Sequence, residues 1–336
     1  MSGTWCSTVF PRFGTVPVAG VAMALLLSAA GNLFAQAYPV RPVRVVVNYT
    51  PGGTTDVVAR ALSQKLAEAT GQPVTVENRP SANGVLGTQD VARSRPDGYN
   101  LLFSTSGHTV LARALLGEKL PFDPLRDLTP VCLAVVNTQI IVAPVSLGVK
   151  NIPELVKLMK AGSGQYSFAS VGLGTPNHLG IELLKHMGGF DMLHVPYKGG
   201  QQAVLDLVTG RVHLMLASMV SFMPYVKAGK LAALGVGSAR RSAAVPDVPT
   251  VMEQGYPDFE VFTWYGMFGP AGLPREVTLR LNTIFNEALK NPEIIRSFTS
   301  QGAEPAGGSP EELARIMRSE YERWRKVVTT ARIEAE

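Results

Sequence analysis

Residues 43–71, VRVVVNYTPGGTTDVVARALSQKLAEATG, carry a β-branched run, a turn with two glycines and an amphipathic run in direct succession. Val58, Leu62 and Leu66 recur four apart, which puts them on one helical face, and Gly71 supplies the stop. The stretch therefore reads as strand, glycine-rich turn and helix. The alternation continues with PVTVEN as a strand, GVLGTQDVARSR as a helix, RPDGY as a turn, NLLFST as a strand and SGHTVLARALLG as a helix. Strands alternating with helices predict an α/β fold built on a parallel sheet with helices on its faces.

A proline-rich connector, LPFDPLRDLTPV, separates this series from a second one that opens with the strand QIIVAPV at residues 139–145. The helix NIPELVKLMKAG, strand YSFAS, turn VGLGT and helix PNHLGIELLKHMGG follow, then DMLHVPYKG and the helix GQQAVLDLVTG. Next come the strand VHLMLAS, the helix VSFMPYVKAG and a further strand, KLAALGVGS. No sequence repeat relates the two series. The segment VPDVPTVMEQGYPDFEVFTWYGMFGPAGLP reads as an aromatic loop, and two helices are expected to close the chain. The first begins near Pro274; the second opens at Ser309, with Pro310 and Glu312 in place for an N1 proline and a capping box.

The N-terminus has a different character. Arg12 precedes the apolar run VPVAGVAMALLLSAA, and FAQAYP offers a small-residue site, so residues 1–37 read as a secretory signal peptide cleaved after Ala37. The apolar run is shorter than the roughly 20 residues a membrane span needs. Cys6 leaves with the signal and Cys132 stays alone, reading as a buried apolar residue in PVCLAVV and not as a reactive thiol. The balance of 31 basic to 26 acidic residues is mildly basic and dispersed, which favours anionic small molecules over nucleic acid.

Three strand-to-helix turns combine glycine with hydroxyl residues. They are Gly52, Gly53, Thr54, Thr55 and Asp56; Ser104, Thr105, Ser106, Gly107 and His108; and Ser170, Gly172, Gly174 and Thr175, followed by Pro176 at N1. A helix start exposes unpaired N–H groups and partial positive charge, so each turn is a candidate anion seat. Taken singly, each also reads as a plain capped helix. In open parallel sheets such turns line the crevice beyond the strand C-termini, where ligands bind.

Named chemistries fit less well. PGGTTD lacks the lysine of a phosphate-binding loop, and GLGTPN lacks the third glycine of a dinucleotide fingerprint, so no cofactor is expected. Neither G-x-S-x-G nor H-E-x-x-H occurs, and His186, His194 and His213 are scattered. His178 and Glu182 lie one helical turn apart without further ligands placed by spacing, so no metal site is expected. A Ser170/His178 pair stays open as a nucleophile and base, with no carboxylate placed beside it.

Longer runs carry a resemblance. YPVRPVRVVVNYTPGGTTDVVARALSQKLAEATGQPVTVENRPSANG, ARSRPDGYNLLFSTSG, LPFDPLRDLTPV, YSFASVGLGTPNHL, HVPYKGGQQAVLDLVTGRV, VKAGKLAALGVGSARRSAAVPDVPTVMEQGYPDFE and QGAEPAGGSPEEL occur in family order from Tyr38 to about Trp324. The chain resembles the extracytoplasmic solute receptors of the tripartite tricarboxylate transporter, the Bug family. The resemblance implies a periplasmic, non-enzymatic protein with a two-lobed, type II-like α/β fold and a ligand cleft between the lobes. The lobes are expected at 38–138 and 139–233, with 234–336 returning to the first lobe and ending in the terminal helices. The implied partners are a small carboxylate solute and a membrane permease, with no nucleic acid and a monomeric state.

Carried onto this chain, the first jaw of a carboxylate clamp is Gly53, Thr54, Thr55 and Asp56, with Ser104 and Ser106 beside it. The second jaw is Ser170, Gly174, Thr175 and His178, with Ser218 at the next strand end. Gly53 and Gly174 would let backbone N–H groups approach the carboxylate, and Thr55, Ser106, Ser170 and Thr175 could donate to it. Asp56 would repel a carboxylate and reads as the acid that holds the loop or a bridging water. Asn48, Tyr49, Thr50 and Thr54 stand where the family pattern has Pro, Phe, Pro and Gly, and Val171 and Leu173 where Ser or Asn is usual. Ala217 and Ser218 replace an Asp-Asn pair, which favours a simple mono- or dicarboxylate, aromatic ones included, over an amine-bearing ligand. The alternatives are a secreted α/β hydrolase using Ser170 or Ser106, and a signalling receptor that presents its closed form to a sensor protein.

Overall fold

The computed structural model describes residues 3, 38–197, 200–242, 244–300 and 302–334. The expectations on Arg12, Cys6, the apolar run and cleavage after Ala37 lie outside the described residues. Residues 1–40 and 41–336 form separate compact units, and every element below belongs to the second.

The opening stretch folds as its pattern requires. Strand β1 (Val43–Val47) is buried along nearly its whole length, and helix α1 (Thr54–Thr70) buries Val58, Leu62 and Leu66 completely. Gly71 ends α1 at φ 68, a left-handed conformation that costs glycine nothing. Strands β2 (Val74–Asn78) and β3 (Asn100–Thr105) pair in parallel with β1 on either side, and α2 (Val85–Ala92) connects them. A π-helical turn at Gly107–Leu111 then leads into the short α3 (Ala112–Leu116).

The connector expected at residues 120–131 is cut short by β4 (Leu128–Pro144), a 17-residue strand that runs through both halves of the molecule. The second series supplies α4 (Ile152–Ala161), β5 (Ser167–Ser170), α5 (Pro176–Gly188), β6 (Leu193–Pro196) and α6 (Gly200–Val208). It continues with β7 (Leu214–Ser218), α7 (Met219–Lys227) and β8 (Leu231–Val236). Strand β9 (Phe262–Pro270) lies in the segment read as an aromatic loop, and it is buried at every position after Phe262. A strand covered on both faces has no apolar–polar alternation, and this one is bounded by glycine and proline, so its pattern imitates a loop. Three helices, not two, close the chain: α8 (Arg275–Leu289), α9 (Pro292–Thr299) and α10 (Pro310–Thr330), with β10 (Ala303–Pro305) before the last. The capping box at Ser309 and Glu312 is present.

The strand order is β2-β1-β3-β9-β4-β7-β5-β6, with β8 and β10 each pairing β4 off that path. Strands β2, β1 and β3 run parallel, as do β7, β5 and β6, but β9 and β4 are antiparallel to their neighbours. The wholly parallel sheet expected from the alternation is therefore two mixed sheets. Strand β4 changes sheet near its middle: Thr138 still faces Phe262 of β9, whereas Gln139 faces Ser218 of β7. Pairing of β8 with β4 persists to Val236, so a lobe boundary at 233/234 would cut β8. One core cluster containing Trp264, Trp324, Phe168 and Leu179 extends through both halves, and a second, with Ala203, Leu207 and Phe222, lies under α6 and α7. No described helix is long and apolar enough to cross a membrane.

Candidate functional site

The first two glycine-hydroxyl turns are neighbours because β1 and β3 are parallel partners, Val47 facing Phe103. Both turns leave the strand C-termini at one edge of the sheet. Gly53 is the N-cap residue of α1, extended at φ −82 and ψ 172, and no side chain caps this helix. The first N–H groups of α1 and the hydroxyls of Thr54 and Thr55 thus have no side-chain partner among the described residues. Asp56 does not compete for that opening, because it accepts Gly52 N–H at 3.0 Å, Arg60 Nε at 3.0 Å and Asn78 Nδ2 at 2.9 Å. Burial pushes its pKa up, but these donors outweigh burial and hold it below the ordinary value. These contacts tie Asp56 to its own loop, to α1 and to the end of β2.

Ser104 and Ser106 are both fully buried and differ in use. Ser104 Oγ accepts Asn48 Nδ2 at 2.9 Å, whereas Ser106 Oγ has no hydrogen-bond partner among the described residues. Asn48 also donates to Thr88 Oγ1 at 2.9 Å, and Tyr49 Oη meets Thr105 Oγ1 at 2.7 Å. Tyr49 stacks on His108 with ring centroids 3.9 Å apart. Burial pushes the His108 pKa down to about 4, against the opposing pull of the Asn48 carbonyl. Asn48, Tyr49 and His108 are thus structural members of this region outside the clamp residues carried over from the family; their departure from the family pattern was the available signal for the first two.

The third turn is organised from within. Thr175 is the N-cap of α5, and its Oγ1 accepts His178 N–H at 3.4 Å and donates to Gly172 O at 2.7 Å. Gly174, at φ 71, gives its N–H to His178 Nδ1 at 3.2 Å. Ser170 Oγ lies 2.6 Å from His194 Nε2 and accepts Gly172 N–H at 3.1 Å. The Ser170/His178 pairing left open by the sequence is therefore replaced by Ser170 with His194. His194 sits on β6 opposite Phe168 of β5, a placement set by strand pairing and carried by no local motif.

The two sides meet. A Cβ on Gly107 would stand 3.3 Å from Pro176 Cδ, and one on Gly174 would stand 3.2 Å from Leu115 Cδ2 and 3.8 Å from Asn83 Oδ1. The turns after β3 and β5 therefore approach each other closely. Ser218 exchanges hydrogen bonds with Asn137 of β4 at 3.0 and 3.3 Å where that strand changes sheet. Nearby, Gln139 donates to Thr263 Oγ1 and accepts from Asn177 of α5. Cys132 is buried, and burial pushes its thiol up to about 12. Among the described residues no cluster of His, Cys, Asp and Glu could hold a metal ion.

Comparisons with known proteins identify the family. The family model described as "Tripartite tricarboxylate transporter family receptor" matches residues 58–333. Protein BugT of Bordetella pertussis is 36% identical over 299 residues, 89% of this chain and 92% of its own length. Among solved structures, Rpa4515 of R. palustris with adipate is 33% identical with a TM-score of 0.78, covering 88% of this chain and 98% of its own. MatC of Rhodopseudomonas palustris with bound malate is 33% identical with a TM-score of 0.77, covering 87% and 100%.

Proposed function

The chain belongs to the tripartite tricarboxylate transporter receptor family, and on that premise we propose that it captures a small mono- or dicarboxylate for a membrane permease. The observation that carries the carboxylate is the uncapped start of α1 beside the partnerless, fully buried hydroxyl of Ser106. N–H groups and hydroxyls without protein partners stabilise an anion by charge-assisted hydrogen bonds. Gly53, Thr54, Thr55 and Ser106 are the proposed contacts, with Asp56 and Ser104 holding them in place. On the other side Ser170, Gly174, Thr175 and His178 shape the opposing jaw, and Ser218 sits at the crossover of β4. Bound malate and adipate in the two relatives support the same ligand class.

The remaining assignments are part of the same proposal. The first lobe comprises residues 38–138 and the segment from β9 onward, and the second comprises the chain from Gln139 through β8. The protein is exported by residues 1–37 and acts as a monomer in the periplasm. It is a receptor and not an enzyme. A hydrolase reading has one observation in its favour, the 2.6 Å contact of Ser170 with His194. A signalling role would present a closed form to a sensor.

Thermal shift of purified protein, partially unfolded, dialysed and refolded to remove carried ligand, tests the proposal against malate, adipate and a panel of aromatic carboxylates. A ligand that binds only the folded state raises the melting temperature. No shift with any carboxylate at millimolar concentration would remove the receptor reading, and turnover of a bound ester or amide would replace it with the hydrolase.

A further inference from the structure

His178 and His194 stack with ring centroids 4.2 Å apart at 25°, and Phe168 lies against both. They come from the first turn of α5 and from β6, and each reaches into the 170–175 loop through one ring nitrogen. His178 Nδ1 accepts Gly174 N–H, so the ring carries its proton on Nε2 and is neutral. Ser170 Oγ already accepts Gly172 N–H, and its proton has two acceptors in reach, Gly172 O at 3.2 Å and His194 Nε2 at 2.6 Å; the shorter contact directs it to the ring nitrogen. His194 is then neutral as well.

We infer that His178 and His194 are positioning residues of the second jaw, holding the 170–175 loop by accepting Gly174 N–H and the Ser170 hydroxyl without touching ligand themselves. The word jaw rests on the receptor reading; the hydrogen bonds do not. Thr175 and Ser170 both have their hydroxyl protons directed inward, so this turn contributes shape. Its residue 174 must be glycine-like at φ 71, and only the ring nitrogen of His178 fixes the direction of that N–H.

Charged groups around the pair oppose protonation or are already engaged. From α5, Lys185 Nζ lies 5.5 Å from the Phe168 ring centroid and is bound to Glu182 Oε1 at 2.8 Å and Asp191 Oδ1 at 3.1 Å. A 370 Å³ cavity beside the histidines is also lined by Arg332 and Glu334 from the C-terminal end. Protonating His178 would turn an acceptor into a donor facing a donor, next to a stacked partner and Lys185. Burial first, then those neighbours, hold His178 down to about 3, and burial with Lys185 holds His194 down to about 4. The jaw keeps its shape throughout the range of about pH 5 to 8 in which an ordinary histidine changes charge.

The test is nuclear magnetic resonance of ligand-free protein, reading imidazole nitrogens and amide exchange. Wild type should show His178 as the Nε2–H tautomer and neither histidine titrating between about pH 8 and 5. His178→Ala should speed exchange of the Gly174 amide about tenfold or more, and His178→Asn, whose side-chain oxygen can accept the same N–H, should restore it. His194→Ala should do the same to the Gly172 amide, with His194→Gln restoring it. An Nδ1–H tautomer at His178, titration of either ring near its ordinary pKa, or unchanged exchange in both alanine variants would overturn the inference. The wild-type spectra need no variant to fold. Every reading is taken without ligand, so a failure to find a carboxylate is a separate result.

Discussion

The two jaws look alike as sequence and differ in what their hydrogen bonds do. Both are glycine-rich strand-to-helix turns with threonines at the helix start. At α1 no side chain caps the helix, its threonine hydroxyls have no partner among the described residues, and the one acid in its first turn is held by Arg60, Asn78 and Gly52. At α5 Thr175 caps the helix, and its neighbours bind one another through His178 and His194. An open helix start can receive charge, whereas a self-satisfied one can only present a shape. On the proposed reading, the same local motif serves reception on one side and closure on the other.

The comparison is most exposed to acid. Three histidines are held neutral, the buried His178 and half-buried His194 in the second jaw and the half-buried His108 in the first, and all have folded-state pKa values below the ordinary value. For a depressed pKa the stabilisation is complete above the unfolded-state value and is lost as pH falls toward the folded one. Stability should thus fall as pH drops from about 6.5 to about 4, with His108 alone contributing on the order of 3 kcal/mol. Urea melts across that range check it, and a flat profile would mean that the rings are not held neutral. Asp56, whose pKa is lowered, keeps its charge in the folded protein and adds to the slope only at the acid end of this window, where its unfolded-state carboxyl begins to take up a proton.

Asp56→Ala should unfasten the first jaw alone. Loss of a charged acceptor for three donors is expected to cost about 3 kcal/mol of stability, with carboxylate affinity lost while the Gly174 amide stays protected. Parallel loss of protection in both jaws would show that they are not independent. Ser106→Ala separates binding from stability more cleanly. Removing an unpartnered buried hydroxyl should leave the ligand-free melting temperature unchanged or raised, yet weaken a carboxylate by about 1.5–3 kcal/mol. Calorimetry that finds affinity intact would take Ser106 out of the site. Thr175→Val is expected to have the smallest effect, about 1 kcal/mol of helix stability from the lost cap. It should also weaken binding, indirectly, because the 172–175 loop loses the bond from Thr175 Oγ1 to Gly172 O. Unchanged affinity in that variant would remove Thr175 from the jaw.

Family resemblance in the sequence named candidate residues on two turns that approach each other in the fold, but not which of their polar groups bond within the protein. Ser170, Gly174, Thr175 and His178 were read as ligand contacts because hydroxyls and glycines at a helix start suit an anion. Their partners are each other and His194, a residue with no local signature. The same limit applies to Ser218, whose hydroxyl is engaged by Asn137 across 81 residues of chain.

Local pattern was sufficient wherever the decisive contacts lie within a few residues. The helical face of Val58, Leu62 and Leu66, the Gly71 stop, the Ser309 capping box and the glycine-hydroxyl turns all depend on neighbours along the chain. Strand β9, the passage of β4 from one sheet to the other, the Ser170–His194 pair and the meeting of Gly107 with Pro176 depend on segments far apart in sequence. Which of their polar groups remain free for a ligand is settled only when those segments pack, because each hydrogen bond made across the fold removes a donor from the cleft.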